Sequence, residues 1–396
     1  MRKRTKQKSY HSRGISMRVI IIGAGASGLA CGIRIKQGLP DAQISVLEHL
    51  DAPCKKILAT GNGRCNLTNT NAPHYKITRD FFESLGLVMR EETEGRVYPY
   101  SNQASTVADL LSDECERLGI EIVTSCDVYR TEKYANKYNA YTDKGIFMAE
   151  YMVLATGGMS QKGLGSDGSG YKIAKKFSHT VTPLHPALVQ LKSPGKYCHI
   201  LKGLRTKCNI KIEINGEILR EEYGELLFTD YGISGIAVMN LSEYVNDDLI
   251  KSGEEKCTAV IDFIPDMSKT EIAEHYSKYC SLKGILPGKL CAVLNKQSGG
   301  NGEKAAAYAK NWRLIINGTK GFDFAQITKG GVRLTELNGD FESALNENLY
   351  IVGELTDNQF FCGGYNLDFA FSSGVIAANS IISKEENRYN DKNKRN

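Results

Sequence analysis

Apolar positions follow three different regimes along the 396-residue chain. Residues 19–22 (VIII) are an unbroken β-branched run, which predicts a strand buried on both faces of a parallel sheet. A helical pattern follows, with Leu29 and Ile33 four apart while Ala30 and Gly32 stay small. ISVLEH (44–49), YMVLATGG (151–158) and the run 350–352 repeat the first regime as further strands. Residues 120–150 instead read as short strands broken by turn residues, a β-meander rather than a second βαβ unit.

From Pro186 to about Thr319 the pattern changes again. ALVQL, CNIKIEI, ELLFTDYGISGIAVMNL and TAVIDFIP predict antiparallel strands. KTEIAEHYSKYC, GKLCAVLNK and KAAAYAKNWRLII predict helices, FDFAQITKGGVRL returns as strand, and a last helix is expected to start near Leu367. The expected fold is α/β. A Rossmann-like domain of the glutathione-reductase type covers 17–190 and 345–385. An antiparallel β-rich domain (191–265 and 321–344) and a helical insertion (266–320) are spliced into it. Residues 1–16 are expected to be a disordered leader and 386–396 a polar tail.

Composition changes this picture in two places. The net charge of +5 is local, because the first sixteen residues carry six Lys/Arg and no acid, and removing those six leaves −1. A near-neutral body argues against nucleic acid as a partner. Met17, directly before the first strand, is a candidate start. Eleven cysteines, an odd number with no C-x-x-C, argue against a disulfide framework or structural zinc and for a reducing, cytoplasmic setting. No run approaches about eighteen consecutive apolar residues, so no membrane span is expected.

Candidate chemistry begins at Gly23, Gly25 and Gly28, a G-x-G-x-x-G between the first strand and its helix. Gly23 permits the tight turn, Gly25 lets backbone approach a pyrophosphate, and Gly28 allows helix and strand to close up. The helix N-terminus, at Ala26 and Ser27, adds unpaired N–H groups and partial positive charge. Glu48, twenty residues after Gly28, is placed to accept hydrogen bonds from an adenosine ribose. The strand that ends in Ala155, Thr156 and Gly157 passes close to a bound cofactor with small residues. Far along the chain, Gly353, Glu354 and the Gly363-Gly364 turn form a second glycine site whose helix N-terminus can stabilise charge on a reduced flavin. A binding site spread over both chain ends suits a long, stretched FAD, whereas a compact NAD domain would be complete within about 150 residues.

The segments GAGASGLA, ATGNGRCNLTN, GRVYPYS, LATGG, GELLFTDYGISG, ITKGGV and CGGYNLDFAFSSG stand in an order typical of one family. On these segments the chain, from Met17 to about residue 383, resembles the FAD-dependent oxidoreductases that include the bile-acid-inducible (BaiN-like) reductases and aminoacetone oxidase. The resemblance implies that the stretch from Thr60 to Asn66 wraps the flavin and its pyrophosphate. Gly61 and Gly63 would let backbone approach, Asn62 and Asn66 would offer amides, and Arg64 lies among them. Lys55 and Lys56 would neutralise phosphate charge. His49, Val128, Gly364, Asn366 and Leu367 complete the expected cofactor contacts. Gln190 and Lys162 stand where the family usually has proline, so the substrate loop 159–171 is carried over less directly.

No catalytic constellation stands out. His185 and Arg64 are candidate proton donors or anion anchors, and Tyr171, Tyr231 and Tyr365 are candidate acids. Cys65 and Cys362, about 300 residues apart, lack the close spacing of a disulfide reductase. The leading expectation is an enzyme that moves hydride from FAD to a conjugated C=C bond of an apolar 3-oxo, steroid or bile-acid-like substrate, with either a transient NAD(P)H or a protein as electron donor. The alternative is an oxidase of a small amine such as aminoacetone, with oxygen as acceptor. A flavoprotein acting on RNA has the basic leader as its only support.

Overall fold

The computed structural model describes residues 17–395, so the basic leader lies outside the described residues. Five parallel strands form the first sheet, in the order Leu349–Ile351, Tyr151–Leu154, Arg18–Ile22, Gln43–Leu47, Glu121–Val123. The continuous apolar runs have a direct reason. Val19, Ile21, Val46 and Val153 face a core built with the helices Ala26–Gly38 and Tyr365–Arg395. Ile20, Ile22, Met152 and Leu154 face a second core that includes Tyr138, Ala140 and Ala149 of the meander. Each such side chain contributes about 1.5–3 kcal/mol by leaving water. The meander is a three-stranded antiparallel sheet of Val128–Tyr134, Lys137–Thr142 and Gly145–Ala149.

The final helix is one 31-residue element that starts at Tyr365 and runs through the polar tail to Arg395. It packs closely on the first helix, where a Cβ on Gly374 would lie 2.2 Å from the Ser27 carbonyl oxygen. Arg388, paired with Glu385 and with the Tyr151 hydroxyl, ties the tail to the sheet.

The second half has its own core, drawn from Leu191 to Ile316. Its seven-stranded antiparallel sheet runs Trp312–Ile316, Cys257–Asp262, Arg205–Ile214, Glu217–Phe228, Gly232–Ser234, Leu191–Lys192, Gly318–Thr319. The helices Lys269–Tyr279, Gly288–Ser298 and Gly302–Lys310 share this core.

Three local expectations differ. Ile236–Leu241 is a helix, not a strand. Gly235, at φ +110, breaks the extended backbone, and Ala237, Val238 and Leu241 then bury at helical spacing. Trp312–Ile316 is a strand, not the end of a helix. Trp312, Leu314 and Ile316 are buried while Arg313 and Ile315 are exposed, a period of two hidden behind an alanine-rich helix. In FDFAQITKGGVRL only Ile327–Lys329 is a strand, paired with His185–Ala187 in a separate ribbon.

The two halves join through two chain segments lying side by side, with Gln326 N–H donating to the Leu188 carbonyl and Lys320 N–H to that of Gln190. Among the described residues no helix is long and apolar enough to cross a membrane.

Candidate functional site

The glycine turn is fixed by contacts that leave no room for side chains. Gly23 sits at φ +109, donates its N–H to the Leu47 carbonyl (2.8 Å), and would put a Cβ 2.4 Å from the Ala155 carbonyl oxygen. A Cβ on Gly28 would lie 2.0 Å from the Gly23 carbonyl oxygen. Gly25 is the contrast, because a Cβ there meets nothing within 4 Å. The helix that opens at Ala26 has no side-chain cap at its N-terminus, so its first N–H groups are available to an anion. Open space sits directly above them.

Glu48 accepts the Ala24 N–H on Oε2 (2.8 Å) and the Leu50 N–H on Oε1 (2.9 Å). A carboxylate has about four lone-pair sites, so two remain for a ligand. His49 adjoins it, with its buried Nε2 3.9 Å from Glu48 Oε1 and without a hydrogen bond. Val128 is half-buried at the start of the meander. Ser27 is buried, held where Gly353 (φ +69) comes so close that a Cβ would lie 2.7 Å from its Oγ.

The second loop is built from left-handed backbone. Gly61, Asn62 and Gly63 have φ of +57, +55 and +83 and are exposed, and Cys65 follows at +58. Asparagine tolerates this region better than other side chains. A Cβ on Gly61 would lie 2.9 Å from the Asn66 backbone nitrogen. A Cβ on Gly364, at φ +99, would lie 2.5 Å from the Thr68 carbonyl oxygen and 2.9 Å from Asn66 Oδ1. The two loops, nearly 300 residues apart in sequence, are thus in contact where Gly364 meets Asn66 and Thr68. Asn66 Oδ1 is buried there without a donor.

Two residues that sequence reasoning missed lock this contact. Asn69 Nδ2 donates to the Gly363 carbonyl (3.0 Å), and Thr68 Oγ1 donates to Asp368 Oδ1 (2.5 Å). Burial pushes the Asp368 carboxyl above its ordinary value. The signal was present as the polar residues of NLTN and NLD in an otherwise apolar setting. Asn366 closes its own loop, accepting the Phe360 N–H (2.9 Å) and donating to the Phe360 (2.8 Å) and Phe361 (3.3 Å) carbonyls. Leu367 packs against the first core.

The cations are matched within the protein. Lys56 pairs with Glu354 at 2.6 Å, Lys55 pairs with the exposed Asp51, and Glu354 Oε1 also accepts the Thr328 N–H at 2.9 Å. Arg64 lies 4.1 Å over the Tyr98 ring and pairs with Glu92.

Beyond Ala155, Gly157 turns at φ +71, and a Cβ on Gly170 would lie 1.8 Å from Thr156 Oγ1. Gly158 is tight against Glu354 and against Thr328, a residue that sequence reasoning missed. A Cβ there would lie 2.6 Å from both Glu354 Oε1 and Thr328 Oγ1, and Thr328 bonds Ser160 at 3.0 Å.

No single acid is marked out among the candidates. Tyr171 is buried with its hydroxyl unpaired, and burial and the Glu354 charge raise its pKa. Lys320 stands 4.2 Å over the Tyr231 ring, Tyr365 folds back on Gly363, and His185 is opposite Lys329 in the ribbon. Cys65 is buried, its thiol pushed up to about 12, and Cys362 is half-buried with its N–H held by Asn240 Oδ1 at 3.0 Å.

The arrangement fits a long dinucleotide. Open space at Gly25, spare lone pairs on Glu48 and the unpartnered, buried His49 Nε2 and Asn66 Oδ1 are groups that such a ligand could engage. An apolar seam of Ala187, Leu188 and Ile327, with Met239 and Cys362 against it, lies where the second half meets the 360–364 loop.

Comparison with known proteins agrees with this fold. Residues 74–380 match the model of the HI0933-like protein Rossmann domain. A 3-dehydro-bile acid delta(4,6)-reductase of Clostridium scindens is 36% identical over 93% of this chain and 99% of its own length. A ribosomal RNA dihydrouridine synthase of Escherichia coli strain K12 is 30% identical over 92% of this chain and 98% of its own. In structure, a 3-ketosteroid delta1-dehydrogenase from Sterolibacterium denitrificans superposes with a TM-score of 0.51 at 12% identity, covering 92% of this chain and 99% of that one.

Proposed function

The chain belongs to the HI0933-like Rossmann family and is a flavin-dependent oxidoreductase, and from that premise we propose that it binds FAD and reduces a C=C bond conjugated to a carbonyl. The observation that carries the reading is the 36% identity to the delta(4,6)-reductase over 93% of this chain, joined to an apolar seam beside the Gly363–Gly364 turn. Bound FAD supplies hydride to the substrate. The chain's own part is to hold it. The helix N-terminus at Gly25 takes the pyrophosphate, Glu48 the adenosine ribose, and the 61–66 and 363–366 loops the ring. Ala187, Leu188, Ile327 and Met239 exclude water from the substrate side, and a planar 3-oxo steroid suits such a lining. A small cationic amine would call for carboxylates, whereas this cluster is apolar. A transient NAD(P)H is the proposed donor.

A second reading has its own support. The Escherichia coli relative is named for dihydrouridine formation in ribosomal RNA, and uracil also carries a C=C bond conjugated to a carbonyl. The near-neutral charge of the chain after its leader weighs against an RNA substrate. Product analysis separates these readings. Protein reduced anaerobically is incubated with a 3-oxo-4,6-diene steroid and with a uridine-containing RNA, and oxidised protein with aminoacetone. A gain of two hydrogens in the steroid supports the first reading, and dihydrouridine in the RNA replaces it with the second. Reduction of oxidised flavin by the amine, with hydrogen peroxide on admitting oxygen, would show an oxidase.

A further inference from the structure

Tyr98 is a buried residue whose hydroxyl finds no partner. It lies on the strand Arg96–Pro99, which pairs with Thr68–Asn69 on one side and Met89–Glu91 on the other. Tyr98 is 8% exposed, and its ring is held from two directions. The Arg64 guanidinium carbon stands 4.1 Å from the ring centre, and a Cβ on Gly61 would lie 3.6 Å from its Cε1. Buried tyrosines ordinarily end in a hydrogen bond. The Tyr98 hydroxyl makes none among the described residues.

The direction of the side chain gives the free hydroxyl its meaning. Arg96 and Tyr98 are two apart on an extended strand and so share a face. Arg64, Arg96, Glu92 and Cys362 are the ionisable groups whose charge reaches Tyr98, and the Arg96 charge also reaches the Cys362 thiol. That face therefore looks toward Cys362, which packs against Ala187, Leu188 and Ile327 in the apolar seam and directly precedes Gly363–Gly364. The hydroxyl thus stands between the 61–66 loop and the seam, the two surfaces assigned above to the flavin ring and the substrate. Burial raises the Tyr98 hydroxyl above its ordinary value, and Arg64 and Arg96 pull against that rise. The proton is held at neutral pH, and its departure leaves a charge that two guanidinium groups stabilise. Tyr171 is the contrast, because its hydroxyl lies near the Glu354 carboxylate, which opposes a second negative charge.

We infer that Tyr98 is the proton donor of the reduction, acting on a substrate that lies in the seam. The C=C carbon farther from the carbonyl takes hydride from the reduced flavin, and the electrons of that bond shift into the carbonyl as an enolate. The Tyr98 O–H bond then breaks, and its proton forms the new C–H bond at the nearer carbon. The tyrosinate left beside Arg64 regains a proton from solvent. The substrate gains one hydride and one proton, and the flavin loses two electrons. The inference rests on the enone-reductase reading and supplies the acid that reading lacks.

The test compares a 3-oxo-4,6-diene steroid with 1-nitrocyclohexene on the full-length flavin-loaded protein and its Tyr98→Phe variant. Hydride addition to a nitroalkene leaves a nitronate, which is stable without an acid, so only the steroid needs the donor. Photoreduced protein is mixed anaerobically with each compound, and the return of the oxidised flavin band is timed. The Kd for the steroid is read separately, from the change in flavin absorbance when the oxidised protein is titrated. With Tyr98→Phe, reoxidation by the steroid should slow about 100–10,000-fold, the usual contribution of a positioned acid. The nitroalkene rate, the flavin content and the steroid Kd should stay within about twofold of the parent. An unchanged steroid rate would overturn the inference. So would equal slowing with both compounds, loss of flavin, or a rise in steroid Kd that matches the lost rate, each of which makes Tyr98 a structural support. In all these cases the parent still reduces the steroid, and the reductase reading stands. A parent protein whose reduced flavin the steroid does not reoxidise would overturn that reading and the inference with it.

Discussion

The glycine turn and the mouth of the seam are built on opposite principles. At the turn, backbone does the recognition. Gly23, Gly28 and Ala155 touch through main-chain atoms, and the only side chain needed is Glu48, itself pinned by two N–H groups. At the rim of the seam, side chains make the contacts, with Arg220 and Glu222 from one strand, Phe361 from the glycine loop and Asn240 from a helix. A backbone site tolerates no variation in shape and holds one cofactor. A side-chain site can change specificity without disturbing the fold, and one fold thus serves several substrates.

The largest effect expected from this contrast is in the turn. Gly28→Val places atoms inside the Gly23 carbonyl and should cost about 3 kcal/mol or more. The variant is expected to be insoluble or colourless on purification. Gly25→Val, facing open space, should instead melt within about 0.5 kcal/mol of the parent yet retain far less flavin, read from absorbance near the visible flavin band. Equal melting losses at both glycines would erase the distinction between a packing glycine and a ligand glycine.

Glu48→Ala comes next. It removes an acceptor from two backbone N–H groups as well as from the ribose, so flavin affinity and stability should both fall, each by about 1.5–3 kcal/mol. Calorimetry with and without added FAD separates the two losses. An unchanged melting point in the apoprotein would mean that the Ala24 and Leu50 contacts carry nothing.

A smaller effect depends on pH. Asp368 is buried, and burial raises its pKa above the unfolded value. The protonated form is then favoured by folding, so its contribution is full below the unfolded pKa, about 3.9, and fades as pH rises through the raised folded value. Asp368→Asn keeps an acceptor for Thr68 without a charge. The variant should gain stability over the parent as pH increases from 4 to 7, and a gap that stays flat across this range would show the carboxyl is not strained. The smallest effect is expected at Asn62, already in left-handed backbone, where Asn62→Gly should shift stability by only a few tenths of a kcal/mol.

How much was legible follows the same division. The turn could be read because each glycine answers a backbone requirement that sequence spacing encodes, and VIII could be read because a strand buried on both faces needs no alternation. The meeting of Asn66 with Gly364 was legible only through the family resemblance, since nothing local links segments so far apart. WRLII was misread because an alanine-rich helix ends only one residue before its alternation starts. Lys56 and Arg64 were read as ligand cations from type and position, while their pairing with Glu354 and Glu92 depends on the fold.

The measurement that bears most directly on the central claim is anaerobic stopped-flow of the photoreduced, flavin-loaded protein. Return of the oxidised flavin band is followed after mixing with a 3-oxo-4,6-diene steroid acid, and separately with air-saturated buffer. The account predicts that the enone reoxidises the flavin faster than oxygen does, with saturation in enone concentration. Fast reoxidation by oxygen with no response to the enone at any concentration would contradict it.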